Sequence, residues 1–314
     1  MNLKIVFILF ILFTVSGCVT NSKVVSKDKV YLPPASLPQW EVGDRITYSN
    51  GRSERVTKVN SNKVYWKKTK TTKFETSNNF IEPELHYESK TKIRDKKVIN
   101  FGGSDHPDAM WPLKVGNAAS IYYNQEFTNL KIGGNFATKR MKQIKCHVED
   151  TATVQVLAGQ FDTYVVECYK ITSKGSNGTK YTYYYSPLLG NWVLKLTKTT
   201  KGKQYEKELM SLNRGTRWLG KNERKSIRKA LQSTMENNQS NQRYIWKSKD
   251  KKTIVEMYPT RTTKLETGVF CRNYIQIIKS DKKSVSAGLL CRGKDKKWKT
   301  PKREKVKNLG FKFF

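Results

Sequence analysis

The chain of 314 residues has little of what enzymes use for chemistry. It contains only three histidines, and none stands at a spacing that gathers metal ligands. Gly102-Gly103 and Gly133-Gly134 lack the strand-before, helix-after setting of a phosphate-binding loop. Ser104-Asp105-His106 carries three letters of a hydrolase triad, but neighbours along a chain rarely project to one point. His86 reads as strand packing, and Asp95, Glu149 and Asp150 have no evident carboxylate partner across a cleft. No catalytic residue, no metal and no cofactor is therefore expected. Acidic residues are scarce too: Asp+Glu number 26 against 60 Lys+Arg, a formal charge of +34. Such a surplus attracts polyanions, but the lysines are dispersed rather than blocked, so charge alone names no ligand.

Long apolar runs are also missing. The run from Ile5 to Phe13 falls well short of the roughly 20 residues of a spanning helix. Lys4 precedes it and Thr14-Val15-Ser16-Gly17-Cys18 follows, which is the charged start, short core and small-residue exit of a secretory signal peptide. The Val-Ser-Gly-Cys ending resembles a bacterial lipoprotein signal. That resemblance implies that Cys18 is joined to diacylglycerol, that residues 1–17 are cleaved away, and that Cys18 becomes the lipidated N-terminus, a palmitate-type anchor. An ordinary signal peptide or a short anchor helix would leave Cys18 unmodified. Each buried methylene contributes about 0.8 kcal/mol, so the chains of a mature lipoprotein hold firmly. Val19 stands where an acidic residue would favour inner-membrane retention, which by the same resemblance implies the outer membrane, facing the periplasm or the surface. Export removes nucleic acid from the partner list. It leaves the membrane itself, anionic lipids, lipopolysaccharide and other envelope components.

With Cys18 assigned to lipid, Cys146, Cys168, Cys271 and Cys291 remain, an even number in an oxidising compartment. Two disulfides follow, one in each half of the chain. A zinc site built on Cys146-His147 and Cys168 would lack a fourth ligand.

Residues 18–39 are polar, lysine-bearing and broken by Pro33, Pro34 and Pro38, a composition that predicts an extended tether. From Trp40 short strands alternate with turn signals. Asn50-Gly51 marks a hairpin, Asn60-Ser61-Asn62 a second turn, and Val64-Tyr65-Trp66 a strand. Strands are predicted in FIEPELHYESKTKIR and KKVINFG, and over 119–128, 136–148, 152–157, 161–173, 179–186 and 191–199. The spacing predicts a mainly β fold, an antiparallel sandwich or half-barrel over 40–213. WEVGD, VYW, WPLKVG, VQVLAGQFD and YYYSPLLG together resemble uncharacterised β-rich bacterial envelope proteins, and Gly159, Phe161, Tyr185, Pro187 and Gly190 read as architectural.

A small α+β domain is predicted over 214–300, the polar stretches NRGTR and ENNQSNQ marking the division. Its helix spans 222–236, with Asn222 as cap, Glu223 in the first turn, and Ile227, Ala230, Leu231 and Met235 on one face. Strands follow in RYIWKS, KTIVEMYPT, GVFCRNYIQIIKS and VSAGLLCRG. Folding the last two about Asp281 sets Cys271 opposite Cys291, since both lie ten residues from that centre. The helix residues KALQ, then Trp246, Pro259, Phe270-Cys271-Arg272, Tyr274, Ala287-Gly288, Cys291-Arg292 and Trp298 resemble the C-terminal domain of the rickettsial-type 17 kDa surface antigens, which are outer-membrane lipoproteins. That family carries a glycine-rich zipper where this chain has its 40–213 segment, so no role of the zipper transfers. Residues 301–314 form a basic tail. The expectation is a non-catalytic envelope lipoprotein with a structural, interaction or surface-antigen role. The alternatives are a carrier or sensor holding a lipid, lipopolysaccharide or glycan in the N-terminal β domain, and a hydrolase.

Overall fold

The computed structural model describes residues 24–26, 30–60, 63–68, 72–76, 89–92, 97–102, 110–129, 137–171, 175, 177–216 and 218–301. Strand β1 (Val24–Ser26) is followed by a meander: β2 (Arg45–Tyr48), β3 (Ser53–Asn60), β4 (Lys63–Lys67), β5 (Thr72–Thr76), β6 (Ser89–Lys92) and β7 (Lys97–Gly102). It continues through β8 (Ala118–Asn129), β9 (Ala137–Val156), β10 (Gly159–Ile171), β11 (Asn177–Ser186), β12 (Asn191–Lys198) and β13 (Gln204–Asn213). From β2 onward each strand pairs antiparallel with the next, and β13 returns to pair with β2. Of the sandwich and the half-barrel, the curled single sheet is the one present, its two ends meeting at β2 and β13. Consecutive hairpins leave no strand without a sequence neighbour, which is the cheapest way to pair every backbone group.

Local chemistry sets the corners. Gly51, at φ 71°, closes the β2–β3 hairpin by donating to Tyr48 O at 2.8 Å. Gly159, at φ 139°, opens β10 after the tight turn at Leu157-Ala158, a conformation that side-chain-bearing residues resist. Two predicted strands, 136–148 and 152–157, are one. Val165 pairs with Asp150 while Val166 pairs with Val148, so Glu149 is an extra residue in a β-bulge rather than a break. Strand β13 carries no alternating apolar signal in its polar first half, QYEKE, and goes unpredicted for that reason.

The core is aromatic. Tyr48 stacks on Trp192 with centroids 4.5 Å apart, and Trp40 meets Trp66 edge-on at 4.9 Å. Trp66, Trp192, Tyr48, Tyr164, Tyr183 and Tyr185 are all essentially without solvent contact. Two lysines roof this floor: Lys207 lies 3.7 Å from the Tyr48 centroid, and Lys195 lies 4.5 Å from Tyr181. Each such cation–π contact contributes on the order of 0.5–2 kcal/mol.

The C-terminal segment contains α1 (Lys221–Asn237), then β14 (Tyr244–Lys247), β15 (Ile254–Lys264), β16 (Phe270–Lys279), β17 (Lys283–Arg292) and β18 (Trp298–Lys299). Gly220, not Asn222, is the helix cap. Its N–H donates to Glu223 Oε2 at 2.9 Å, because the carboxylate at the third helical position reaches back over the first turn. The apolar face packs Ile227 against Val255, Met257 and Ile278, and Met235 against Tyr274, Leu290 and Trp298. Gln232 clips Trp298 at both backbone groups, and Glu236 accepts from its indole at 2.9 Å.

The segments 40–213 and 214–300 share a strand seam. Ser211 and Leu212 of β13 pair with Gly288 and Ala287 of β17, and Val285 and Ala287 belong to the main core. Gly288 permits this junction, since a Cβ there would lie 2.7 Å from Ser211 Cβ. Tyr274 OH donates to Asn213 Oδ1 at 2.8 Å, and Asn273 Nδ2 to Leu157 O at 2.6 Å, stitching the same seam. The division expected from polar composition thus falls on a strand-to-strand joint, invisible in hydropathy because glycine and serine make it. Gly288→Val is expected to lower stability by about 1–3 kcal/mol through overpacking. In urea unfolding, Ser211→Gly should recover part of that loss; strict additivity of the two changes would contradict the contact.

Candidate functional site

The residues between β1 and β2 were expected to be a tether, and the structure makes them a strap. Val30 N–H donates to Thr151 Oγ1 at 3.1 Å, and the Tyr164 hydroxyl lies 2.9 Å from Leu32 O and 3.0 Å from Pro33 O. Ala35 and Leu113 exchange both backbone hydrogen bonds. Val24 of β1 pairs with Val154 of β9. The prolines do keep this stretch extended, but Ala35 and Trp40 are buried, and apolar side chains at these positions draw it onto the barrel.

The strap ends in a clasp centred on Arg214. Its Nη1 donates to Asp44 Oδ2 at 2.7 Å and to Gln39 O at 3.2 Å; Nη2 donates to Leu189 O at 2.6 Å. The guanidinium also lies 4.8 Å from the Trp40 ring centroid. Asp44, with no solvent exposure, accepts from Gly215 N at 2.6 Å and from Glu41 N at 3.1 Å. A Cβ at Gly215 would meet Val42 O at 2.5 Å, so that close approach requires glycine. Burial pushes the Tyr185 phenol far above its ordinary range even though Arg214 pulls the other way.

Around the clasp is a cleft of about 530 Å³ between the strap, the Pro187–Gly190 turn and residues 282–285. Its acids are already answered by bases: Asp44 by Arg214, and Glu41 by Lys282. The arrangement holds chain segments together.

A second cluster gathers His147, Glu149 and Glu167, whose ligating atoms lie within 4.8 Å of one another. His147 and Glu149, two residues apart on β9, share a face and are in contact, and Glu167 lies opposite His147 on β10. Glu167 is already held by Lys180 Nζ at 2.6 Å and by Tyr169 OH at 3.1 Å. Burial draws the Lys180 ammonium down, but its contacts with Glu167 and Tyr169 outweigh that and raise it overall. The cluster is therefore a set of polar contacts joined to the Glu167–Lys180 ion pair.

Of the cysteines, Cys146 is bonded to Cys168 and Cys271 to Cys291, each pair directly opposed across neighbouring strands. Their sulfurs are not offered to zinc. Closing loops of 22 and 20 residues, each contributes about 3 kcal/mol by chain entropy. Cys18 lies outside the described residues, as do His86, Asp95, Gly103, Ser104, Asp105, His106, Gly133, Gly134 and the tail from 302. Among the described residues no helix is long and apolar enough to cross a membrane.

No family model and no curated protein matches the chain. Two solved structures are similar over part of it. The hypothetical lipoprotein YmcC from Escherichia coli (K12) is 9% identical, with 59% of this chain and 92% of that one covered, at a TM-score of 0.36. A putative exported protein with YmcC-like fold from Bacteroides fragilis NCTC 9343 is 15% identical, with 57% and 100% covered, at 0.31. Likenesses of this size assign neither activity nor ligand.

Removing one partner of a buried ion pair leaves the other unpaired, at a cost of about 3–5 kcal/mol. Arg214→Ala is expected to lose that much in chemical unfolding and to open the strap to protease between Ser36 and Trp40. Arg214→Lys should recover little, because one ammonium cannot reach Asp44, Gln39 and Leu189 from the same fork.

Proposed function

We propose that the chain is a non-catalytic lipoprotein of the bacterial outer membrane, anchored through Cys18 and acting as a structural or interaction element of the envelope. The observation that carries the non-catalytic part is how its ionisable groups are spent. Asp44, Glu41, Glu54 and Glu167 are each paired with a base, and Glu149 is in contact with His147, so these acids are engaged within the fold rather than offered in the cleft. The anchor rests on the Lys4 to Cys18 sequence. The two disulfides support export, since such bonds persist in oxidising compartments. The similarity of 220–300 to the rickettsial-type surface antigens supports an envelope address and, where the chain faces outward, a role as an antigen.

A carrier of lipid or glycan needs an emptied interior. Among the described residues that interior is filled by Tyr48, Trp66, Tyr183 and Trp192 under Lys195 and Lys207, which favours the structural reading. Cells fed an alkyne-bearing palmitate are expected to label the wild-type protein, which should partition into the detergent phase. Cys18→Ser should abolish both; a variant that stays labelled and detergent-bound would refute the anchor.

A further inference from the structure

We infer that the end of the barrel formed by the β9–β10 turn faces the bilayer, and that a groove there, bearing Arg261, receives the phosphate of an anionic phospholipid headgroup. This rests on Cys18 being the point of lipid attachment.

The chain re-enters the fold early. From Cys18 to Val24 there are six peptide steps, which span at most about 21 Å when fully stretched. The body is therefore held against the membrane rather than suspended above it. Direction follows from register: β1 runs antiparallel to β9, with Val24 opposite Val154, Ser26 opposite Thr153, and Val30 bonded to Thr151. Val24 is therefore the end of β1 nearer the β9–β10 turn.

At that end lies a groove of about 340 Å³ lined by Gln155, Gln160, Phe161, Thr260, Arg261 and Asn273. A bulge aims the arginine into it. Pro259 pairs with Tyr274 and Arg261 with Asn273, leaving Thr260 as the extra residue. Among the described residues no carboxylate pairs with Arg261, whereas Arg214, beside the β11–β12 turn, is engaged by Asp44, Gln39 and Leu189. The surroundings suit an interface. Val25 and Phe270 are 56% and 43% exposed, and Lys264 lies over the Phe270 ring at 5.5 Å. Apolar side chains beside basic ones are what an anionic bilayer surface takes up. Two acids share this end: Asp162 accepts from Thr153 Oγ1 at 2.6 Å, and Glu266 sits in the exposed turn before Phe270.

The test combines a photo-crosslinking side chain with acyl labelling in the full-length protein. With the crosslinker at Gln160, phospholipid adducts are expected; at Lys249, in the β14–β15 turn at the far end of β15, none. Acyl-labelled protein that crosslinks equally at both positions, or only at Lys249, would overturn the orientation while leaving the anchor intact. Unlabelled protein would bring down the anchor and the orientation together. The headgroup site is read independently with the unlipidated Cys18→Ser chain and vesicles containing phosphatidylglycerol. Arg261→Gln should weaken binding about fivefold, as expected for one basic residue at a charged surface, with Lys249→Gln unchanged and pure phosphatidylcholine vesicles bound weakly by all. Equal binding by Arg261→Gln and the parent would overturn the site.

Discussion

The contact on which the rest of the molecule depends is the buried pair of Asp44 and Arg214, 170 residues apart in sequence. One guanidinium joins the strap at Gln39, the start of the meander at Asp44 and the β11–β12 turn at Leu189. A charge with so little water around it is tolerable only if every donor finds a partner, and here the partners belong to three different parts of the chain. The barrel closes where β2 meets β13, and Asp44 and Arg214 are the residues flanking that meeting. The clasp therefore fixes closure and docks the N-terminal segment in one step.

A similar economy governs the lysine surplus. Lys195 and Lys207 cover the aromatic floor, Lys180 neutralises Glu167, and Lys68 reaches Glu54 at 2.9 Å. Part of the positive charge is thus internal structure rather than bait for polyanions. What remains for partners is the unpaired fraction, and its location matters more than its sum. An arginine aimed by a bulge into a groove says more about a ligand than a formal charge of +34.

Much of the architecture was readable from local signals. Asn50-Gly51 announces its hairpin, the symmetry of Cys271 and Cys291 about Asp281 is the register observed, and Ile227 and Met235 mark the buried helix face. Features set by distant contacts were not readable. Nothing near Glu149 tells a bulge from a turn, because the partner strand decides which it is. Residues 30–41 look like linker since their hydrogen bonds go to Thr151, Tyr164 and Arg214, none of which is local. Gly288 offers no side chain to read, yet its missing Cβ is what joins the two halves. Asp44 and Arg214 sit in short polar stretches that composition assigns to turns.

Residues 30–44 are folded onto the barrel, which on the proposed attachment of lipid at Cys18 brings the body down to the membrane. Hydrogen exchange of the intact protein tests this most directly. Backbone amides of Val30 and Ala35, bonded to Thr151 and Leu113, and of Glu41 and Asp44, bonded within the clasp, are expected to exchange slowly, opening only when the barrel opens. Rapid exchange across residues 30–44 while β9 and β10 stay protected would contradict the account, restoring a free tether and a body able to stand clear of the lipid.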